Sequence, residues 1–240
     1  MLEVFIIIIL TVLSGSCIPL GGIIAQHEHI RPNWLENELR HFLIAFGGGI
    51  LLGAVALVLV PEGINNMNHS KFAILYIVAG GVAFFVIEKI LGLRRREAPQ
   101  LMGMILDYVP EAIALGGLVA LSSPVAPLLA LLIGLQNLPE GFNTYRELVS
   151  RNKNNSKTII QSMIALVAIG PIAGLSGYFF LSEHQEVLGA IMLIASGGIL
   201  YLIFQDIAPQ SRLKKHWAPP LGAVFGFCVA LFSEMLVTSA

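Results

Sequence analysis

Residues 101–147 read LMGMILDYVPEAIALGGLVALSSPVAPLLALLIGLQNLPEGFNTYRE. Two apolar runs are joined by Ser122-Ser123-Pro124-Val125-Ala126-Pro127, and each run carries one polar pattern. The first holds Asp107-Tyr108-Val109-Pro110-Glu111 and the second Gln136-Asn137-Leu138-Pro139-Glu140. Carboxylates are expensive inside an apolar helix, so each is a functional-site candidate. Positions i and i+4 share a helix face, which aligns Asp107 with Glu111 and Gln136 with Glu140. Counted from Pro124, Glu111 lies 13 residues back and Gln136 12 forward, while Asp107 and Glu140 lie 17 and 16 away. At about 1.5 Å per residue the four side chains meet roughly 18–25 Å below the hairpin tip. Four oxygen-bearing side chains at one depth form a candidate cation site.

Composition sets the class. The chain is 56% hydrophobic and 12% charged, with a mean hydropathy of +0.80, far outside the range of soluble domains. Apolar stretches of bilayer length fall at about 4–24, 41–62, 70–91, 101–121, 126–147, 158–181, 187–208 and 218–238. The expectation is an all-α polytopic membrane protein with eight transmembrane helices, forming one transporter-sized domain over 1–240 with no separate soluble part. With the N-terminus outside, thirteen of the fourteen basic residues fall in cytoplasmic loops and only Lys71 lies outside. Lys and Arg asymmetry sets topology, so both termini are expected outside.

The first stretch carries Glu3 and no Lys or Arg near its start, so it reads as a retained helix rather than a signal peptide. Cys17 and Cys228 read as buried thiols without a disulfide framework. Nothing interleaves basic and aromatic residues as a nucleic-acid binder would, and no glycine-rich nucleotide fingerprint is present.

The paired motifs resemble those of the ZIP (Zrt-, Irt-like protein) divalent metal transporters, and the resemblance extends over essentially the whole chain. Supporting it are Val60-Pro61-Glu62 closing the second span and Gly170-Pro171-Ile172-Ala173-Gly174 in the sixth. Asp206-Ile207-Ala208-Pro209 closes the seventh and Leu221-Gly222 opens the eighth. The resemblance implies transport of a divalent cation into the cytoplasm, zinc first, with Asp107, Glu111, Gln136 and Glu140 as ligands. It also implies a homodimer. The chain departs from the family at three places. Asp107 replaces a histidine, Tyr108 an asparagine, and Gly170 stands where many members place a glutamate, which puts a second metal site in doubt. The long His-rich loop of the family is replaced by Arg94-Arg95-Arg96-Glu97.

The residues can also be weighed directly. Carboxylates and an amide oxygen make a hard ligand set, which suits Mn²⁺, Fe²⁺, Mg²⁺ or Ca²⁺ better than a thiolate or imidazole cage would. Zn²⁺ and Cd²⁺ stay within range. Like charges so close repel one another, and binding a metal there displaces protons, so transport is expected to depend on pH. Pro110 and Pro139 free the carbonyls of Leu106 and Leu135 and should bend both helices beside the ligands. Asn137 serves either a metal or the helix interface. Tyr108 packs or gates. Glu62 is placed as an entrance residue and Asp206 as an exit residue, each with a solvated or capped helix end as the plainer role. Glu88, beside Lys89, reads as part of an interfacial cluster, and His27-Glu28-His29 as a solvated loop.

Gly48-Gly49-Ile50-Leu51 ahead of Pro61 is echoed by Gly197-Gly198-Ile199-Leu200 ahead of Pro209. Spans 1–3 and 6–8 therefore read as inverted repeats around the central hairpin, an arrangement transporters use around a midplane site. Two other classes compete. Gly174-Leu175-Ser176-Gly177 resembles the nucleophile motif of intramembrane serine proteases, but every histidine lies in a loop or at a span end. A homologue that binds metal or a partner without moving it is the second. The expected setting is a plasma membrane, prokaryotic by the economy of the loops, and no enzymatic activity is expected.

Overall fold

The computed structural model describes residues 2–28, 33–91, 99–151, 155–213 and 217–238. Every element among them is helical. In chain order these are α1 (Leu2–His27), α2 (Asn33–Ala54), α3 (Val60–Asn66), α4 (Ala73–Leu91), α5 (Pro99–Ala120) and α6 (Ala126–Arg151). They continue with α7 (Ser156–Leu166), α8 (Ile169–Leu181), α9 (Gln185–Leu202), α10 (Ala208–Ser211) and α11 (Leu221–Thr238). Arg31, Arg94, Arg95, Arg96, Lys153, Lys214 and Lys215, which carry much of the charge asymmetry, lie outside the described residues, as do Glu97 and His29.

Seven stretches among the described residues are long and apolar enough to cross a membrane. They match the expected spans except the fifth, at 126–147. That segment does form a helix of ample length, the 26-residue α6, but it is not one of the seven. Gln136, Asn137, Glu140, Asn143, Arg146 and Glu147 dilute its apolar character. The packing explains how it tolerates them, because α1, α2 and α5 all lie against it and Gln136, Asn137 and Asn143 are buried. By contrast, only 22% of the α4 and α11 stretches is buried inside the protein. Phe72, Ile74, Ile90, Phe179, Phe180 and Ile172 stand more than half exposed on the outer surface. Apolar surface on this scale is untenable in water and fits hydrocarbon, so the protein is a multi-pass membrane protein.

The helices sort into two groups. In one, α1 packs along α6, and α5 along α8, with α7 continuing into α8. In the other, α2 packs along α11 and α4 along α9. Glycine makes each pairing close. A Cβ on Gly21 or Gly141 would run into the backbone across the α1–α6 seam, as would one on Gly116 or Gly177 across α5–α8. Gly49 and Gly226 do the same for α2–α11, and Gly80 and Gly197 for α4–α9. Small residues let helix backbones approach in lipid, where no hydrophobic force holds them together. Between the groups, α2 meets α6 and α5 meets α9 through side chains. A Cβ on Gly47 would sit 3.3 Å from the Pro139 ring.

Two spans in the second group change pitch at matching places. Val55–Leu59 and Ile203–Ile207 are π-helical, and each stands just ahead of a proline, Pro61 and Pro209. In each the amide of the residue before proline reaches back five residues, Val60 to the Val55 carbonyl and Ala208 to the Ile203 carbonyl. Proline cannot donate to the carbonyl four residues back and its ring collides with it. Widening the preceding turn relieves that collision, and such bulges recur at functional sites.

Glu88 belongs to a buried polar cluster, and one expectation about the cysteines is corrected. Glu88 is 5% exposed, accepts from the Tyr201 hydroxyl, and accepts from Gln205 Nε2 at 3.2 Å, which clasps α4 to the end of α9. Cys228 is exposed rather than buried, because it lies on the outer face of α11, while Cys17 is half-buried and both are free thiols. Ser176 donates to the Ala173 carbonyl of its own helix at 2.6 Å, as a helix-packing serine does.

Candidate cation site

The two central helices bring the expected residues together. Asp107 and Glu111 lie one turn apart on α5, and Gln136 and Glu140 one turn apart on α6, with Pro110 and Pro139 inside the helices between them. Glu111 and Gln136 are fully buried and Asp107 is 3% exposed. Gln136 Nε2 donates to Glu111 Oε2 at 2.5 Å across the hairpin, which fixes the depth match read from the turn.

What remains is a set of buried oxygens with no hydrogen-bond partner. Asp107 Oδ1, Glu111 Oε1, Gln136 Oε1 and Glu140 Oε2 all belong to it. Buried acceptors without partners cost about 1–3 kcal/mol each, and more when charged. Four of them on two facing helices form an acceptor-rich locus that a cation satisfies and an apolar core does not. Among the described residues, no three His, Cys, Asp or Glu side chains stand close enough to hold an ion jointly. The Gln136–Glu111 bond shows one reason, because Glu111 spends an oxygen on the amide.

A cavity opens onto the locus. It has a volume of about 40 Å³ and is lined by Asp107 and Glu140, with Gly103, Asn143, Asp206 and Gln210 toward its mouth. This exceeds the roughly 10–15 Å³ that one water needs. Glu111 and Gln136 lie beyond its floor. On their far side the core closes over with Leu115, Leu118, Leu129, Leu132 and Ile133, all without exposure.

The remaining sequence candidates divide. Asn137 Nδ2 donates to the Ser14 carbonyl of α1 at 3.1 Å, while its Oδ1 is buried without a partner. Asp206, carried by the second π-helical turn, lines the cavity. Glu62 is half-buried in the first turn of α3 and does not line it. Glu28 meets Arg146 at 2.5 Å, tying the end of α1 to α6, so this part of the His27-Glu28-His29 loop is not simply solvated. Tyr108 packs. It is 1% exposed, donates to the Thr11 carbonyl at 3.2 Å, and its hydroxyl occupies the space a Cβ would take on both Gly15 and Gly170. A carboxylate side chain at 170 would not fit beside it.

The sequence reading missed Asn143. Its Nδ2 donates to the Pro139 carbonyl at 2.8 Å, leaving Oδ1 buried and without a partner, and the residue lines the cavity. The signal was present, since Gln136, Glu140 and Asn143 follow the i, i+4, i+7 spacing of one helix face. No protein-family model matches the chain, and no curated protein matches it.

Proposed function

We propose that the chain is a divalent-cation transporter of the ZIP type, with Asp107, Glu111, Gln136 and Glu140 as the substrate's ligands. The observation that carries this reading is the set of unpartnered buried oxygens at the floor of a cavity. A structural core would not maintain it at such cost. Asn143 and Asp206 extend the oxygen lining toward the mouth.

Alternating access follows from the two groups. The group of α1, α5, α6 and α7–α8 carries every ligand, and the group of α2–α3, α4, α9–α10 and α11 supplies the opposing wall. Seams inside each group are backbone-close and stiff, while those between groups run over side chains such as Pro139, where sliding is easier. Exchanging spans 1–3 with 6–8, and α5 with α6, carries each packing pair onto another pair, which supports the inverted repeat. The fifth of eight crossings is then α6, shielded from lipid by its neighbours. The cavity mouth lies at the ends of α2, α5, α6 and α9–α10 that are next in sequence to the basic residues, which by the charge rule puts it on the cytoplasmic side, and the family resemblance makes import the direction proposed. Tyr108 fills the region beside Gly170, and one ion per site follows.

Oxygen ligands accept Mn²⁺ and Fe²⁺ readily and Zn²⁺ and Cd²⁺ as well. The test is uptake of these ions into proteoliposomes, with Glu111→Ala and Glu140→Ala in parallel. Saturable uptake abolished in both variants is expected. Saturable binding without flux in well-folded protein would instead favour a non-transporting metal-binding homologue.

A further inference from the structure

A second cavity lies beside the cation site. It measures about 950 Å³ and runs between α2, the second π-turn, α10 and the start of α11, which places it at the upper end of the usual range for ligand sites, about 300–1,000 Å³. Its floor is made of small residues. Ala45, Gly48 and Gly49 on α2 and Ala223 on α11 leave backbone where other helices would place side chains. Gly48 and Ile207 line both cavities. A Cβ on Gly48 would sit 2.6 Å from the Ile207 side chain, so that contact walls one space off from the other. Away from this wall the groove reaches the protein's outer surface, where Phe204 is 72% exposed and Trp217 90%.

The lining changes character along the groove. From Ala45 to Leu52 the α2 wall carries no polar side chain, over a length of about 10 Å at the helical rise. At one end the chain leaves α10 at Arg212, which is exposed and lines the groove together with Trp217. Among the described residues no carboxylate pairs with Arg212. Lys214 and Lys215 follow it in sequence, and no acid stands between Arg212 and Trp217. Tryptophan favours the level of lipid headgroups. A guanidinium takes phosphate through two parallel hydrogen bonds. An apolar groove along a membrane helix, with an unpaired cation at its interfacial end, matches the shape and charge of one phospholipid.

We infer that this groove is a binding site for an anionic phospholipid, with an acyl chain laid along α2 and the phosphate held by Arg212. The selectivity follows from charge. Lipid of any headgroup can fill an apolar groove, and only the Arg212 end tells a net negative headgroup from a zwitterionic one. Basic pockets between membrane helices, on the side of the Lys- and Arg-rich loops, take such headgroups. The site is separate from the cation site and stands whether or not the chain moves a metal.

The test is quenching of Trp217 fluorescence by brominated lipid, in a Trp34→Phe protein that leaves Trp217 as the single tryptophan. Vesicles containing dibrominated phosphatidylglycerol or dibrominated phosphatidylcholine, each diluted in unbrominated phosphatidylcholine, are compared. Phosphatidylglycerol is expected to bind at least about fivefold more tightly, the factor that one Lys or Arg contributes near an anionic surface. That ratio should fall to near parity in Arg212→Gln and be largely kept in Arg212→Lys. Ala208→Phe, which fills the groove and leaves the charge, should weaken phosphatidylglycerol binding severalfold. The preference should also persist at about 1 M salt, where a Debye length of about 3 Å removes diffuse attraction. Equal quenching by the two lipids overturns the assignment. So does a preference that survives Ala208→Phe unchanged or that salt abolishes, since either marks attraction to the surface at large. Absence of quenching by both lipids overturns it as well, and would mean that a second copy of the chain covers the groove.

Discussion

The two helix groups use the same packing device for different ends. In the first, glycine seams press α1 against α6 and α5 against α8, and α5 and α6 carry the buried, unpartnered oxygens of Asp107, Glu111, Gln136 and Glu140. In the second, equivalent seams join α2 to α11 and α4 to α9, and two of its helices change pitch in the π-turns ahead of Pro61 and Pro209. One group spends its packing energy holding polar groups in an apolar place. The other spends it holding two helices whose pitch has been altered where they face the first group. The lesson is that backbone-close glycine seams make each group stiff, so the costly chemistry and the adjustable wall can be separated.

That contrast breaks first at the ligands. Losing an outer-shell partner of a metal ligand costs about 10–100-fold, so Glu111→Ala or Glu140→Ala should lower initial uptake rates by at least about 100-fold. The matched loss in the wall, Glu62→Gln, should act more mildly and fade at high salt, because it removes only long-range attraction. Equal losses at all three would erase the division between site and wall.

The seams come next. Gly116→Leu places a side chain against the backbone of Gly174 and should destabilise the protein by about 1–3 kcal/mol, seen as a lower melting temperature in detergent. Gly103→Ala is the control. Its Cβ meets nothing, so melting should stay level or rise, by at most about 1 kcal/mol of helix preference. Similar melting temperatures for the two would mean the seams are not close-packed.

Asn143 sharpens the comparison. Asn143→Ala removes the unpartnered Oδ1 and should weaken apparent Mn²⁺ affinity by about tenfold at the scale of an outer-shell loss, leaving melting nearly unchanged.

The smallest effect is expected from Tyr108→Phe. It loses one hydrogen bond to Thr11, worth about 0.5–1.5 kcal/mol, and should lower the melting temperature slightly with uptake retained. A loss of uptake comparable to that of Glu111→Ala would make Tyr108 part of the ion's own surroundings rather than packing.

The site was readable because i, i+4 spacing and a short hairpin fix both the face and the depth of a side chain before any tertiary contact forms. Asp107, Glu111, Gln136 and Glu140 follow from that arithmetic. Asn143 obeys it too, but a neutral amide in a helix is common enough to pass unnoticed until its oxygen proves to be buried without a donor. Glu88 went the other way. Its neighbour Lys89 suggested an interface, and only the approach of Tyr201 and Gln205 from α9 buries it.

The sequence by itself determined the all-helical class, the position of seven apolar spans and the polar stripe on α5 and α6, because these depend on local periodicity and transfer energy. Tertiary structure decided which stripe faces which. It buried α6, too polar to face lipid, among its neighbours, turned Asn137 to α1 and Asn143 to the cavity, and seated Tyr108 against Gly15 and Gly170. These outcomes depend on how closely backbones approach across glycines, a property of paired helices that no single helix carries.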